Sequence, residues 1–175
     1  SASMPLVSNG QIVSDRYRSI ADDAELPADA ALLLSAARFL ASADSLRGHD
    51  GPIGVIWPQD RNIAELVPYL DLLATVVLLF PTFRDGRAHS QARLLRERYG
   101  FRGELRASGQ VLRDQFVFLL RNGFDSFDVK KDSDAEAFAA AASRYSVFYQ
   151  PAADQAVGAL QRRRQLRGQA QGGQP

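Results

Sequence analysis

From residue 50 to residue 147 the chain alternates short β-type runs with longer stretches of helical spacing, and turn residues sit at the junctions. This alternation is the pattern of repeated βα units, which build a mostly parallel sheet. Ile53–Trp57 reads as the first clear strand, entered at Gly51-Pro52 and stopped by Pro58. Asp60 is placed to cap a following helix whose apolar positions Ile63, Leu66, Val67, Leu70 and Leu73 keep helical spacing, with Pro68 kinking or splitting it. Thr75–Phe80 is β-branched and continuously apolar, so it is expected at the centre of the sheet with helices over both faces. The next helix is predicted over Arg87–Tyr99, with Ala88, Ala92, Leu95 and Tyr99 on one side, Arg87, Gln91 and Arg98 toward water, and Gly100 as its left-handed stop.

Gly103–Ala107 makes a shorter third strand, and the Ser108-Gly109 turn leads into a helix over Val111–Asn122, ended by Gly123. Val111, Leu112, Phe116, Val117, Phe118, Leu119 and Leu120 cannot all face one sheet, so part of that helix is expected under another element or a second subunit. Phe124–Val129 supplies a fourth strand, and Ser133 with Glu136 reads as a capping box opening a helix to Ser146. Earlier in the chain, a strand at Ala31–Leu34 and a helix over Ala36–Arg47 add one more βα unit, while Gln11–Val13 and Tyr17–Ile20 read as a small edge hairpin around Ser14-Asp15-Arg16. A last helix runs from Pro151 to Arg164.

The expected fold is therefore α/β, with repeated βα units forming a mostly parallel sheet flanked by helices. Five or so units are too few to close eight strands, so an open three-layer sheet is favoured and a partial (βα) barrel is the alternative. One domain spans Met4–Arg164 with its small N-terminal hairpin, and the polar Gln165–Pro175 tail has nothing to bury and is expected to be disordered. Met4 is read as the natural start, with Ser1–Ser3 the remnant of an expression tag.

The chain has no cysteine and only two histidines, His49 and His89. Cysteine nucleophiles, iron–sulfur ligation and the usual zinc ligand sets are thereby excluded, leaving carboxylate, hydroxyl and arginine chemistry. No protein metal site is expected. The formal charge is +1, so the Arg162-Arg163-Arg164 run reads as a solvated helix end and nucleic acid is not an expected partner. The longest apolar run, Ala74–Pro81 interrupted by Thr75, is far short of the ~20 residues that span a bilayer. A soluble, cytoplasmic protein without a membrane partner is expected. A Walker loop, a G-x-G-x-x-G turn and an H-E-x-x-H helix are all missing.

In a parallel sheet the loops after the strands' carboxyl ends share one rim, where helix N-termini add unpaired N–H groups. Four segments qualify: Pro58–Arg61, Pro81–Ser90, Ser108–Val111 and Lys130–Ser133. The richest is Pro81–Ser90, in which Phe83, Arg84, Asp85, Gly86, Arg87 and Ser90 suit a phosphate, sulfate, sulfite or carboxylate. Gly109, Arg113 and Asp114 can reach the same rim. The alternatives are an Asp85 helix cap paired with a loop arginine, and an Arg113–Asp114 ion pair. Arg106 lies inside a strand and needs a partner, for which Glu104, two residues earlier on the same face, is the simplest. Adjacent helix residues diverge by about 100°, so His89-Ser90 is not read as a base and nucleophile.

Phe80–Phe127 carries three dense motifs: FPTFRDGR from Phe80 to Arg87, RLLRERYG from Arg93 to Gly100, and GELRASGQVLRDQ from Gly103 to Gln115. This stretch resembles the core pattern of the bacterial domain-of-unknown-function family 934, and looser similarity extends upstream through Ile53–Leu73. The resemblance implies an accessory protein of assimilatory sulfite reduction, often labelled a probable oxidoreductase, with sulfite reductase as a possible protein partner. The chain has Leu79 where that pattern often carries a polar or acidic residue, and Gln110 where it often carries an acidic one, so carboxylates that could have served as acid or base are absent at these positions. Redox chemistry would require a borrowed carrier such as a flavin or a nicotinamide. Three readings follow: an accessory protein binding a small oxyanion or a partner at the rim, an enzyme acting on a small anionic substrate with Asp85 or Asp114 as general base, or a homodimeric interaction module using the Val111–Leu120 helix.

Overall fold

The computed structural model describes residues 6–8, 11–81, 86–109, 116–128, 135–137 and 139–140. Its strands are β1 (Leu6–Ser8), β2 (Gln11–Val13), β3 (Arg18–Ser19), β4 (Leu32–Ser35), β5 (Ile53–Trp57), β6 (Thr75–Phe80), β7 (Glu104–Gly109) and β8 (Ser126–Asp128). They form a single sheet in the order β2-β1-β8-β7-β6-β5-β4-β3. Strands β3 to β8 are parallel and lie in chain order, while β1 adds antiparallel to β8 and β2 antiparallel to β1. The helical elements are α1 (Ala36–Leu46), a 3-10 helix (Ile63–Leu72), α2 (Gly86–Arg93), which runs on into a π-helical turn (Leu94–Arg98), and α3 (Phe116–Arg121).

Successive parallel strands that are also spatial neighbours place every right-handed crossover on the same side of the sheet. The core reflects this. Leu32 and Leu34, Val55 and Trp57, Val76, Leu78 and Phe80, Leu105 and Ala107, and Phe127 all belong to one apolar cluster with Phe39, Leu66, Ala88, Ala92 and Leu95 from the helical elements. These strand residues share one side-chain parity, so the helices pack on one face of the sheet. The other parity, Leu33, Ile56, Val77, Leu79, Arg106 and Ser108, is not part of that cluster.

Chain connectivity makes the sheet curl. β2 and β3 lie at opposite edges, where eight strands laid flat at ~4.8 Å spacing would set the edges ~34 Å apart. The five Cα steps from Val13 to Arg18 reach at most about 18 Å. The edges must therefore approach one another, and the sheet is a half-barrel with helices outside. The partial barrel, and not the favoured three-layer sheet, is the arrangement adopted, because a three-layer sheet needs a reversal of strand order that β3–β8 lack. The expected edge hairpin is corrected for the same reason. Gln11–Val13 pairs with Leu6–Ser8, whereas Arg18–Ser19 pairs parallel with β4 across the sheet.

Other expectations are met or adjusted locally. α1 is capped by the Ser35 hydroxyl, which accepts from Arg38 N at 3.1 Å. The segment after β5 is a 3-10 helix containing Pro68, and its cap is Asn62, accepting from Ala64 N at 3.0 Å, in place of Asp60. β7 runs on through Ser108 and Gly109, and β8 takes Ser126–Asp128 of the predicted Phe124–Val129 run, starting two residues later than expected. Gly100 and Gly123 take the positive φ expected of helix stops. Residues 133 and 141–175 lie outside the described residues, and with them the Ser133 half of the capping box, the last helix and the polar tail; Glu136 lies in a described helical stretch at 135–137.

Two devices fix the strand ends, one at the amino ends of β7 and β8 and one at the carboxyl ends of β6 and β7. Arg96, on the π turn, donates to the carbonyls of Phe101, Gly103 and Gly123 and pairs with Asp125 at 2.8 Å, while Asp125 also accepts from Leu105 N. One buried guanidinium thus ties the α2–β7 connection to the α3–β8 connection. Gly109, φ +102°, lets β7 close onto β6: a Cβ there would lie 2.4 Å from Phe80 O. Gly109→Ala is expected to lower stability by about 1–3 kcal/mol or more, read from the denaturation midpoint. Gly48→Ala, where a Cβ meets nothing within 4 Å, should leave it near wild type.

Candidate functional site

Of the rim residues expected from the sequence, Gly86, Arg87, Ser90 and Gly109 are described, while Phe83, Arg84, Asp85, Arg113 and Asp114 lie outside the described residues. Gly86, Arg87 and Ser90 border a groove of about 480 Å³ with Gln59, Arg61 and Asn62, between the loop after β5 and the start of α2. α2 has no acidic residue in its first turn, so within the helix nothing offsets the partial positive charge of its N-terminal N–H groups. The Arg61 guanidinium lies 5.3 Å from the Trp57 ring centroid and pairs with Glu65 at 2.8 Å. The space beside Gly86 is open, since a Cβ there would meet nothing within 4 Å. Ser90 Oγ donates to Gly86 O at 3.2 Å, so it offers the groove its lone pairs.

Gln91 was expected to face water and does not. It is buried, and its Nε2 donates to Pro58 O at 2.9 Å and Arg61 O at 3.0 Å, while Trp57 Nε1 also donates to Arg61 O. The two carbonyls fix the orientation of the amide. Its Oε1 is buried and has no hydrogen-bond partner among the described residues.

His89 points the other way from Ser90, into an aromatic cluster with Phe80 and Phe118 at 5.0 Å and Phe124 at 6.5 Å between ring centroids. Burial, followed by the positive charge of Arg93, holds its pKa below the ordinary value. Asn122 Nδ2 lies 3.3 Å from His89 Nδ1; an amide nitrogen can only donate, so the ring accepts there as the neutral imidazole. His89 is thus a packing residue, and among the described residues its side-chain neighbours are aromatic rings and Asn122.

Sequence reasoning missed the concave face. In register across the strands, Leu33, Gly54, Thr75 and Glu104 form one tier, Ile56, Val77, Arg106 and Ser126 the next, and Leu79 with Ser108 the third, toward the carboxyl ends. Arg106 is 2% exposed. It pairs with Glu104 at 3.1 Å, as expected, and also with Asp15 at 3.0 Å and Asp128 at 3.9 Å. Ser126 Oγ donates to Glu104, Thr75 Oγ1 donates to Tyr17 Oη, and the guanidinium sits 5.5 Å from the Tyr17 ring centroid. Burial alone would lower the Arg106 pKa, but the three carboxylates outweigh it and raise it. At Asp128 burial pushes the carboxyl above its usual range; Arg106 and a hydrogen bond from Ser108 pull it down, and Asp15 and Glu104 add to the rise.

Above this cluster lies a cleft of about 680 Å³ bordered by Tyr17, Leu33, Ile56, Val77, Leu79, Ser108 and Asp128. The only signals in the sequence were charged Arg106 inside a strand and the Ser-x-Asp ending of β8; Asp15, 91 residues from Arg106, left none. No group of three or more potential metal ligands occurs among the described residues, and no described helix is long and apolar enough to cross a membrane.

The sequence model of a family described as "Bacterial protein of unknown function (DUF934)" matches residues 54–159, more than half of the chain. No curated protein matches it.

His89 makes a testable contribution to pH dependence. Its neutral form is favoured in the fold, so its stabilisation is complete above the unfolded value of about 6.5 and is lost as pH falls through the lower folded value. His89→Phe should flatten the decline in melting temperature between pH 7.5 and 5 relative to wild type, measured by thermal unfolding in matched buffers.

Proposed function

Because the chain belongs to the bacterial family DUF934, we propose that it is an accessory protein of assimilatory sulfite reduction that binds a small oxyanion in the groove between the β5 loop and α2. The setting rests on the family resemblance carried by the FPTFRDGR, RLLRERYG and GELRASGQVLRDQ motifs. The observation that carries the ligand class is the meeting of Arg61 and Arg87 with the start of α2, whose own first turn holds no acidic residue, in one groove. Asn62 and the open backbone at Gly86 add donors and room, and sulfite or sulfate is the anion that the setting suggests. The reading is one of binding, resting on the cationic and helix-start donors of the groove; sulfite reductase is the protein partner that the family resemblance implies.

The thermal shift tests it. At a hundred times its Kd a bound anion stabilises the fold by about 2.7 kcal/mol, so sulfite or sulfate should raise the melting temperature of the wild type. Arg87→Ala and Arg61→Ala should remove most of that rise. Gly86→Ala should fold normally, because a Cβ there meets nothing, yet bind less well by occupying the space the anion needs. Equal shifts in wild type and Arg87→Ala would overturn the reading. For the setting, a deletion strain should grow on cysteine and fail on sulfate.

A second reading, a homodimer through α3, is favoured by Phe118, which is 52% exposed beside the His89 ring. Sedimentation should then give a dimer for the wild type and a monomer for Phe118→Ser. A wild type that stays monomeric at high concentration would rule it out.

A further inference from the structure

The concave face is chemically the opposite of the groove. Its lower end is closed: Tyr17 reaches Thr75 at 2.8 Å and Asp15 reaches Arg106, so the segment between β2 and β3 crosses the half-barrel as a plug. Its upper end, bordered by Leu79, Ser108 and Asp128, lies at the carboxyl ends of parallel strands, where folds of this kind place their ligands. The cleft between has a volume of about 680 Å³, within the range of small-molecule sites. Leu33, Ile56, Val77 and Leu79 make its wall apolar, and Ser108 with Asp128 makes one end polar.

Charge decides what fits there. Around the Arg106 guanidinium stand three carboxylates, Asp15, Glu104 and Asp128, one cation against three acids. Arg106 cannot serve an anion, because its Nε and Nη2 donate to Glu104 and its Nη1 to Asp15. Among the described residues the other cation on the cleft border, Arg18, is exposed, where water screens its charge. The surplus among the described residues is therefore negative, and it lies at the pole where Asp128 meets the cleft. Burial of Asp128 makes its ionisation costly, and a cation entering beside it would remove that cost.

We propose that the cleft on the concave face is a binding site for a small primary amine with a compact apolar body, its ammonium group held by Asp128 and Ser108 and its body against Leu79, Val77 and Ile56. This site is separate from the anion groove, uses none of its residues and has the opposite charge preference.

Three size-matched probes test it on the full chain: phenethylamine, 2-phenylethanol and 3-phenylpropionate, titrated at pH 7.5 and followed by NMR chemical shifts. The amine is expected to saturate at least tenfold more tightly than the alcohol, and the carboxylate not to saturate. Asp128→Asn should weaken the amine at least tenfold and leave the alcohol unchanged, and Arg61→Ala, in the groove, should change neither. Leu79→Trp, which fills the upper wall, should abolish amine binding; it keeps the test decisive if Asp128→Asn does not fold. Saturation by the carboxylate as tight as by the amine, an Asp128→Asn variant that binds the amine like wild type, or retention of the amine by Leu79→Trp would each overturn the proposal. Loss of the sulfite shift in Arg87→Ala with amine binding intact would uphold both sites independently.

Discussion

A connector of four residues, Ser14–Tyr17, joins the two edge strands of an eight-stranded sheet. A chain that short cannot cross a flat sheet, so the edges must bend toward each other, and the arrangement of the protein follows from this. Bending gives the sheet an outside and an inside. The outside takes α1, the 3-10 helix and α2, because strands β3 to β8 succeed one another in chain order and same-handed crossovers all fall on one side. Among the described residues the inside carries no helical layer. The connector itself crosses it, bringing Asp15 and Tyr17 onto Arg106.

That division explains why two neighbouring sites can differ so sharply in charge. The groove beyond β5 and β6 is built from helix-side elements: a helix start, two arginines and a loop held by Trp57 and Gln91. The cleft is built from strand residues of the opposite parity, where a buried arginine must be neutralised within the fold and is surrounded by more carboxylate than it requires. Breaking such a cluster by removing Arg106 would leave uncompensated buried acids, a more severe loss than removing any one acid. Arg96 does the corresponding work on the helix side, satisfying three loop carbonyls and Asp125 together.

Much of this was legible in the residues. The strands at Ile53–Trp57 and Thr75–Phe80, helix α1, the left-handed glycines 100 and 123, and the pairing of Arg106 with Glu104 depend on interactions within a few residues of sequence. Gln91 was misplaced because helical spacing put it on the polar side, whereas its amide is used to hold a loop 30 residues away. The edge hairpin was misread because alternation alone cannot say which strand lies beside which. Asp15 carried no readable role, since its partner is reached only through the curl of the sheet, and Asp128 was marked only by the Ser-x-Asp ending of its strand.

Local chemistry, then, settled the elements, the parallel βα character and the need of Arg106 for an acid, because spacing, capping and turn preferences act over a few residues. The continuous apolar run of β6 was compatible with helices on both faces or with a helix on one face and a cleft on the other, since burial looks the same from either side. Choosing between them required the reach of the Ser14–Tyr17 connector measured against the width of the sheet. Both the half-barrel and the charged cleft inside it come from that long-range constraint on chain length.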